Sequence, residues 1–167
     1  MCDKCAVAGF SERGLRMTYR ASQVAETIID LSRKRAISDL TNLKLQKLLY
    51  YCQAWHLALN DTPLFSEEIE AWIHGPAVPR VFGEFKEYRW SVIARAVTPV
   101  QDAAVIHHVN EVLALYGKYG ATQLERLTHS EQPWIQARRG LSPDEPSRNV
   151  IPKNHMKLFY RDRIVHA

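Results

Sequence analysis

The chain has 167 residues, 46% hydrophobic and 24% charged, which suits one domain with one buried core. It has no apolar run near the roughly 20 residues that cross a bilayer, no apolar signal core at its N-terminus, and only three cysteines; a membrane span and a disulfide framework are therefore excluded, and a cytoplasmic protein is expected. The net charge of +4 is uneven: residues 1–137 carry 15 Lys/Arg against 15 Asp/Glu, whereas residues 138–167 carry seven (Arg138, Arg139, Arg148, Lys153, Lys157, Arg161, Arg163) against three (Asp144, Glu145, Asp162).

Residues 1–17 are broken by Gly9, Ser11 and Gly14 and show no periodicity. Met17-Thr18-Tyr19-Arg20-Ala21 reads as a second start, so an extension over 1–17 followed by one domain over 18–167 is expected. Residues 21–36 have helical spacing, with Val24, Ile28 and Leu31 on one face, Ser22 as cap, and the basic run Arg33-Lys34-Arg35 in the last turn. Thr41 caps a longer helix over 42–59, whose inward face is Leu45, Leu48, Leu49, Cys52, Trp55, His56 and Leu59; Lys44, Lys47 and Tyr51 point elsewhere. From Glu68 to Ile73 polar and apolar residues alternate, which predicts a short strand, with Ser91–Val97 as a possible partner. Gly75-Pro76 makes a turn, and Pro79 opens a short helix that buries Val78, Val81, Phe82 and Phe85.

Residues 102–117 give another amphipathic helix, with Val105, Val109, Val112, Leu113 and Tyr116 inward. Thr122-Gln123-Leu124-Glu125 fits a capping box ahead of a short helix, Pro133 opens the next one with Trp134 and Ile135, and Pro152 opens a last helix with Met156, Phe159 and Tyr160 inward. The fold class expected is mainly α: a compact single-domain helical fold with a short β-hairpin or strand pair.

Chemistry-bearing patterns are sparse. Cys2-x-x-Cys5 has half of a zinc spacing, but a structural zinc needs about four ligands and no second pair follows, so no metal is expected. Cys52 falls on the buried face of a helix. His107 and His108 point to different faces, and His129 with Glu131 sits in a turn before Pro133-Trp134, where a hydrogen bond locking the turn is the simpler role. His74 has the place of a general base, yet no nucleophile accompanies it. Seven glycines form no phosphate loop, so no cofactor is expected. Asn42, Lys44 and Gln46 at a helix start, together with the basic C-terminal segment, leave a nucleic-acid regulator as the alternative; a small His/Glu enzyme is a further one.

Three blocks in order carry a resemblance. They are Leu40-Thr41-Asn42-Leu43-Lys44-Leu45-Gln46-Lys47-Leu48-Leu49-Tyr50-Tyr51-Cys52-Gln53-Ala54, Pro63-Leu64-Phe65-Ser66-Glu67-Glu68-Ile69-Glu70-Ala71-Trp72-Ile73-His74-Gly75-Pro76-Ala77-Val78-Pro79, and Leu124-Glu125-Arg126-Leu127-Thr128-His129-Ser130-Glu131-Gln132-Pro133-Trp134-Ile135-Gln136-Ala137-Arg138. Together they resemble the Panacea family of SocA-type antitoxins, known from bacteria and phages. The resemblance covers most of residues 19–164 and leaves out Cys2 and Cys5. It implies a non-enzymatic antitoxin that binds a cognate protein toxin, in some relatives delivering it to a ClpXP-type protease. The motif positions it brings to attention for partner binding are Gln46, Tyr50, Trp72, His74, Gly75, Pro76, Pro79, His129, Glu131 and Trp134. Among these, Gln46, Tyr50, Trp72 and His74 combine a polar tip with contact area.

Overall fold

In a computed structural model of the chain, the described residues, 18–165, form seven α-helices and one two-stranded sheet around a central helix, α2 (Asn42–Asn60). Thr41 caps it as expected, its hydroxyl accepting from the Lys44 N–H at 3.3 Å. The helix is enclosed by α1 (Ala21–Lys34), α3 (Pro79–Glu84), α4 (Ala103–Tyr116), α5 (Ala121–His129) and α7 (Lys153–Val165), most extensively by α7. α6 (Gln132–Ala137) packs on α5 and α7.

The enclosure overturns the expectation that Lys44, Lys47 and Tyr51 face away from the core: all three are buried. Their polar tips are satisfied inside. Lys44 donates to Asp39 at 2.6 Å and to the Gly117 carbonyl at 2.8 Å, and Lys47 donates to the Pro76 carbonyl at 2.8 Å. Gln53 accepts from the Leu64 and Phe65 N–H groups and donates to the Phe65 carbonyl. Burying such groups is tolerable because each is hydrogen-bonded. At the far end α2 leaves the core, so Leu59, expected inside, is exposed and His56 is half-buried.

Several local details differ from the sequence reading. The N-cap of α1 is Arg20, not Ser22: the Arg20 N–H goes to Gln23 Oε1 at 3.0 Å, the Ala21 N–H to Glu67 at 2.8 Å, and the Ser22 hydroxyl reaches Glu84. The N-cap of α5 is Gly120, whose N–H donates to Gln123 at 2.9 Å, two residues before the expected Thr122 cap. Pro79 opens α3 as expected, whereas Pro152 lies just before α7, its carbonyl accepting from the His155 and Met156 N–H groups; Met156 and Tyr160 are buried, and Phe159 is half-buried.

Strand β1 (Glu70–Trp72) pairs with β2 (Gly75–Ala77), antiparallel, with Glu70 opposite Ala77 and Trp72 opposite Gly75. The turn therefore falls at Ile73-His74, and Gly75-Pro76 begins the returning strand. The Ser91–Val97 segment is not the partner; it touches α2's start instead, through an Ile93 N–H to Leu40 carbonyl bond and a Val92–Thr41 bridge. The outer edge of β1 is closed by the segment before α7, Ala71 donating to the Asn149 carbonyl and Ile151 to the Ile69 carbonyl, both at 2.8 Å. Proline fits at an edge because it has no N–H to give a neighbour.

Candidate partner-binding site

One end of α2 and the hairpin enclose a pocket of about 480 Å³. Asn42, Leu43, Gln46 and Lys47 of α2 form its floor, and Trp72 to Gly75 with Ala77 form one wall. Phe82, Lys86, Arg89 and Trp90 form the opposite wall, and Pro146 to Arg148 close a third side. The size falls within the range of ordinary ligand pockets.

The floor is fixed from within. Asn42 donates to the Phe82 carbonyl at 3.0 Å and accepts from Gln46, whose own oxygen takes the Val78 N–H at 2.9 Å. Lys47 reaches behind the hairpin to the Pro76 carbonyl. Its burial lowers the amine to about 7, and the charge of Glu125 offsets only part of that. Gly75 has φ 96°, and a Cβ there would sit 2.7 Å from Lys47 Cε and 2.8 Å from Thr128 Oγ1, so only glycine lets the hairpin lie this close to α2.

The walls are braced from behind. Trp72 meets Phe82 edge to face at 5.0 Å, and its indole N–H donates to Glu70 at 2.6 Å. The Trp134 indole donates to the Trp72 carbonyl at 2.9 Å, and the His129 ring stacks on Trp134 at 4.1 Å. Burial lowers the His129 pKa, partly offset by Glu125. His74 stands at the mouth with its Nδ1 3.0 Å from Glu125 Oε1.

The profile of the antitoxin SocA-like Panacea domain matches residues 45–135, more than half of the chain. Antitoxin SocA of Caulobacter vibrioides (strain NA1000 / CB15N) is 32% identical over 130 residues, which is 68% of this chain and 68% of that protein. The chain belongs to the SocA-like antitoxin family. No solved structure matches it.

In this SocA-like antitoxin the ten motif positions separate by place. Gln46, Trp72, His74 and Gly75 line the pocket; Pro76, His129 and Trp134 support its wall, and Pro79 starts α3. Tyr50 and Glu131 lie elsewhere. Tyr50 is fully buried, and Glu131 accepts hydroxyls from Tyr160 at 2.7 Å, Tyr50 at 2.9 Å and Tyr51 at 3.3 Å. Glu131 therefore ties α6 to α2 and α7 rather than locking its own turn. Burial raises its carboxyl pKa, against the lowering effect of the three hydroxyls.

Sequence reasoning missed Leu43, Phe82, Lys86, Arg89, Trp90 and Arg148 as members of the site. The available signal was the alternation of aromatic and basic residues in Lys86-Glu87-Tyr88-Arg89-Trp90. Trp90 is 78% exposed, so most of its indole faces solvent beside the pocket. Arg89 just before it has φ 49°, a left-handed backbone that β-carbon-bearing residues seldom take.

The basic C-terminal segment of the antitoxin proves largely engaged. Lys153 pairs with Glu68 at 3.0 Å, Lys157 and Arg161 with Asp61 at 2.9 and 3.4 Å, and Arg163 lies over the Phe159 ring at 3.5 Å. Arg138 is buried at 4% exposure and donates to four carbonyls, of Ala71, Ser142, Pro143 and Glu145. Among the described residues no group of three or more His, Cys, Asp or Glu is gathered to hold a metal; Cys2 and Cys5 lie outside them. Cys52 is buried, and burial pushes its thiol up. No helix among the described residues is long and apolar enough to cross a membrane.

Proposed function

We propose that the chain neutralises a cognate protein toxin by binding it directly, with the pocket between α2, the hairpin and α3 as the contact face. The observation that carries this reading is an open apolar pocket, bearing an exposed tryptophan and four of the motif residues, on a chain of an antitoxin family. Specific complexes bury about 1,200–2,000 Å² in total, so the pocket is the centre of a larger contact that includes the hairpin and the residues around Trp90.

The test is co-expression with the product of the neighbouring open reading frame. The expected result is a neighbour that arrests growth alone, is tolerated together with this chain, and co-purifies one-to-one. A neighbour that stays toxic in the presence of excess antitoxin overturns the reading. Relief that vanishes in cells lacking ClpXP replaces masking by delivery to that protease. The His74–Glu125 pair gives a catalytic reading one specific observation, and it predicts neutralisation at substoichiometric amounts that His74→Ala abolishes.

A further inference from the structure

Three properties of the pocket describe what fits it. Its inner surface is apolar: Leu43, Trp72, Phe82 and Trp90 supply aliphatic and aromatic faces. Its floor amides are already partly engaged, Asn42 donating to the Phe82 carbonyl and accepting from Gln46, and Gln46 accepting from the Val78 N–H, which leaves one N–H on each. A polar group pushed to the bottom would meet mostly these apolar faces and would bear most of the cost of desolvation. The deepest part of the occupant is therefore apolar.

The mouth has the opposite character. Lys86, Arg89 and Arg148 line it, and no carboxylate does. Lys86 and Arg89 are exposed, and neither has an ion-pair partner among the described residues; Arg148 is 84% exposed and only loosely engaged, 3.8 Å from Glu70. Elsewhere Lys153, Lys157 and Arg161 of α7 are held by Glu68 and Asp61. Uncompensated positive charge thus gathers where the exposed Trp90 also stands. Arginine and tryptophan next to an apolar pocket are the side chains on which binding energy concentrates. Cations around the rim steer and select acidic partners.

We propose that the pocket seats an apolar anchor, one or two bulky aromatic or aliphatic side chains, on a segment of the toxin that carries Asp or Glu on both sides of the anchor. This rests on the antitoxin reading above and specifies the chemistry its partner presents. A single nucleic-acid strand also stacks on aromatics and follows cations. The protein segment is favoured because Lys86, Arg89 and Arg148 all line one concave apolar pocket.

The test is selection of peptides from a random displayed library on the full-length protein, followed by the same selection on Trp90→Asp and on Arg89→Glu/Arg148→Glu. These side chains are exposed, so the variants keep the fold, which circular dichroism verifies. The expected consensus on the unmodified protein is an apolar anchor between acidic residues. Affinity falls at least tenfold on Trp90→Asp, and the flanks change to Lys or Arg on the charge-reversed variant. No enrichment, a consensus without acidic flanks, or equal binding to Trp90→Asp overturns the proposal. So does an oligothymidine that binds with the same dependence on Trp90.

The selected peptide is then added to the toxin complex. Release of toxin is the expected outcome. Retention of toxin by a protein that still protects cells overturns the assignment of this pocket to the toxin and leaves the antitoxin reading standing. Failure of the unmodified protein to protect cells sinks that reading by itself, whatever the peptides do.

Discussion

Lys47 is the residue whose chemistry departs furthest from its place in a sequence pattern. At 1% exposure it has one hydrogen bond, to the Pro76 carbonyl, and an amine lowered from 10.5 to about 7. The folded state then binds fewer protons than the unfolded chain between about pH 7 and 10.5, so this residue makes folding more favourable as pH rises through that window, and its full penalty stands below it. Between pH 7 and 9 the gain is about 2 kcal/mol. Lys47→Met removes it. Urea unfolding of both proteins at the two pH values is expected to show a rise for the parent and a smaller one for the variant; parallel behaviour refutes a neutral buried amine. The alternation of apolar and polar letters along α2 hid this, because a helix wrapped on all sides buries its polar residues too when partners await them. Gln46 and Gln53 passed unremarked as core residues for the same reason, their partners lying 32 and 11 to 12 residues away.

Among elements, the hairpin was legible only in part. The alternation at Glu68–Ile73 located β1, but the second strand hid in Gly75-Pro76-Ala77, whose composition reads as a turn. Its conformation depends on the closeness of Lys47 and Thr128, which no local pattern reports. Helix starts at Thr41 and Pro79 were readable because one residue type determines each; the starts of α1 and α5 were not, because Glu67 and Gln123 decide them. Arg138 joins elements in a similar way. Its guanidinium holds the Ala71 carbonyl of β1 and three carbonyls of the 142–145 loop, and that loop leads into Pro146 to Arg148 at the pocket mouth. Lysine cannot reproduce such a fork. Arg138→Lys is expected to cost about 2–3 kcal/mol of stability, since buried carbonyls lose their partners. It also weakens partner binding under conditions where the protein is still folded. Chemical unfolding and a binding titration on the same preparation check both; unchanged affinity with lowered stability would confine Arg138 to the fold.

For the whole molecule, the distribution of charge decides between partner classes more than its sum does. The +4 excess looked in the sequence like a basic C-terminal segment. Folding spends much of it on Asp61, Glu68 and backbone carbonyls, and exposes Lys86 and Arg89 from a stretch where the charges cancel overall. Association with duplex DNA is therefore expected to be weak even at low salt, where counterion release favours it most. Electrophoretic shift at about 50 mM salt is the check, and tight binding with a steep salt slope would restore the nucleic-acid reading. The family blocks were visible because they hold the fold: Trp134 and His129 brace a wall, and Tyr50 and Glu131 join three helices.

The pocket divides its labour between two kinds of residue. Its floor and inner wall belong to α2 and the hairpin, where a changed side chain disturbs many neighbours at once. Its mouth belongs to Lys86, Arg89, Trp90 and Arg148, whose side chains lie mostly in solvent. Descendants of such a chain can exchange the mouth one residue at a time and keep the floor intact. A lineage built this way can abandon one adversary and take up another without refounding its architecture.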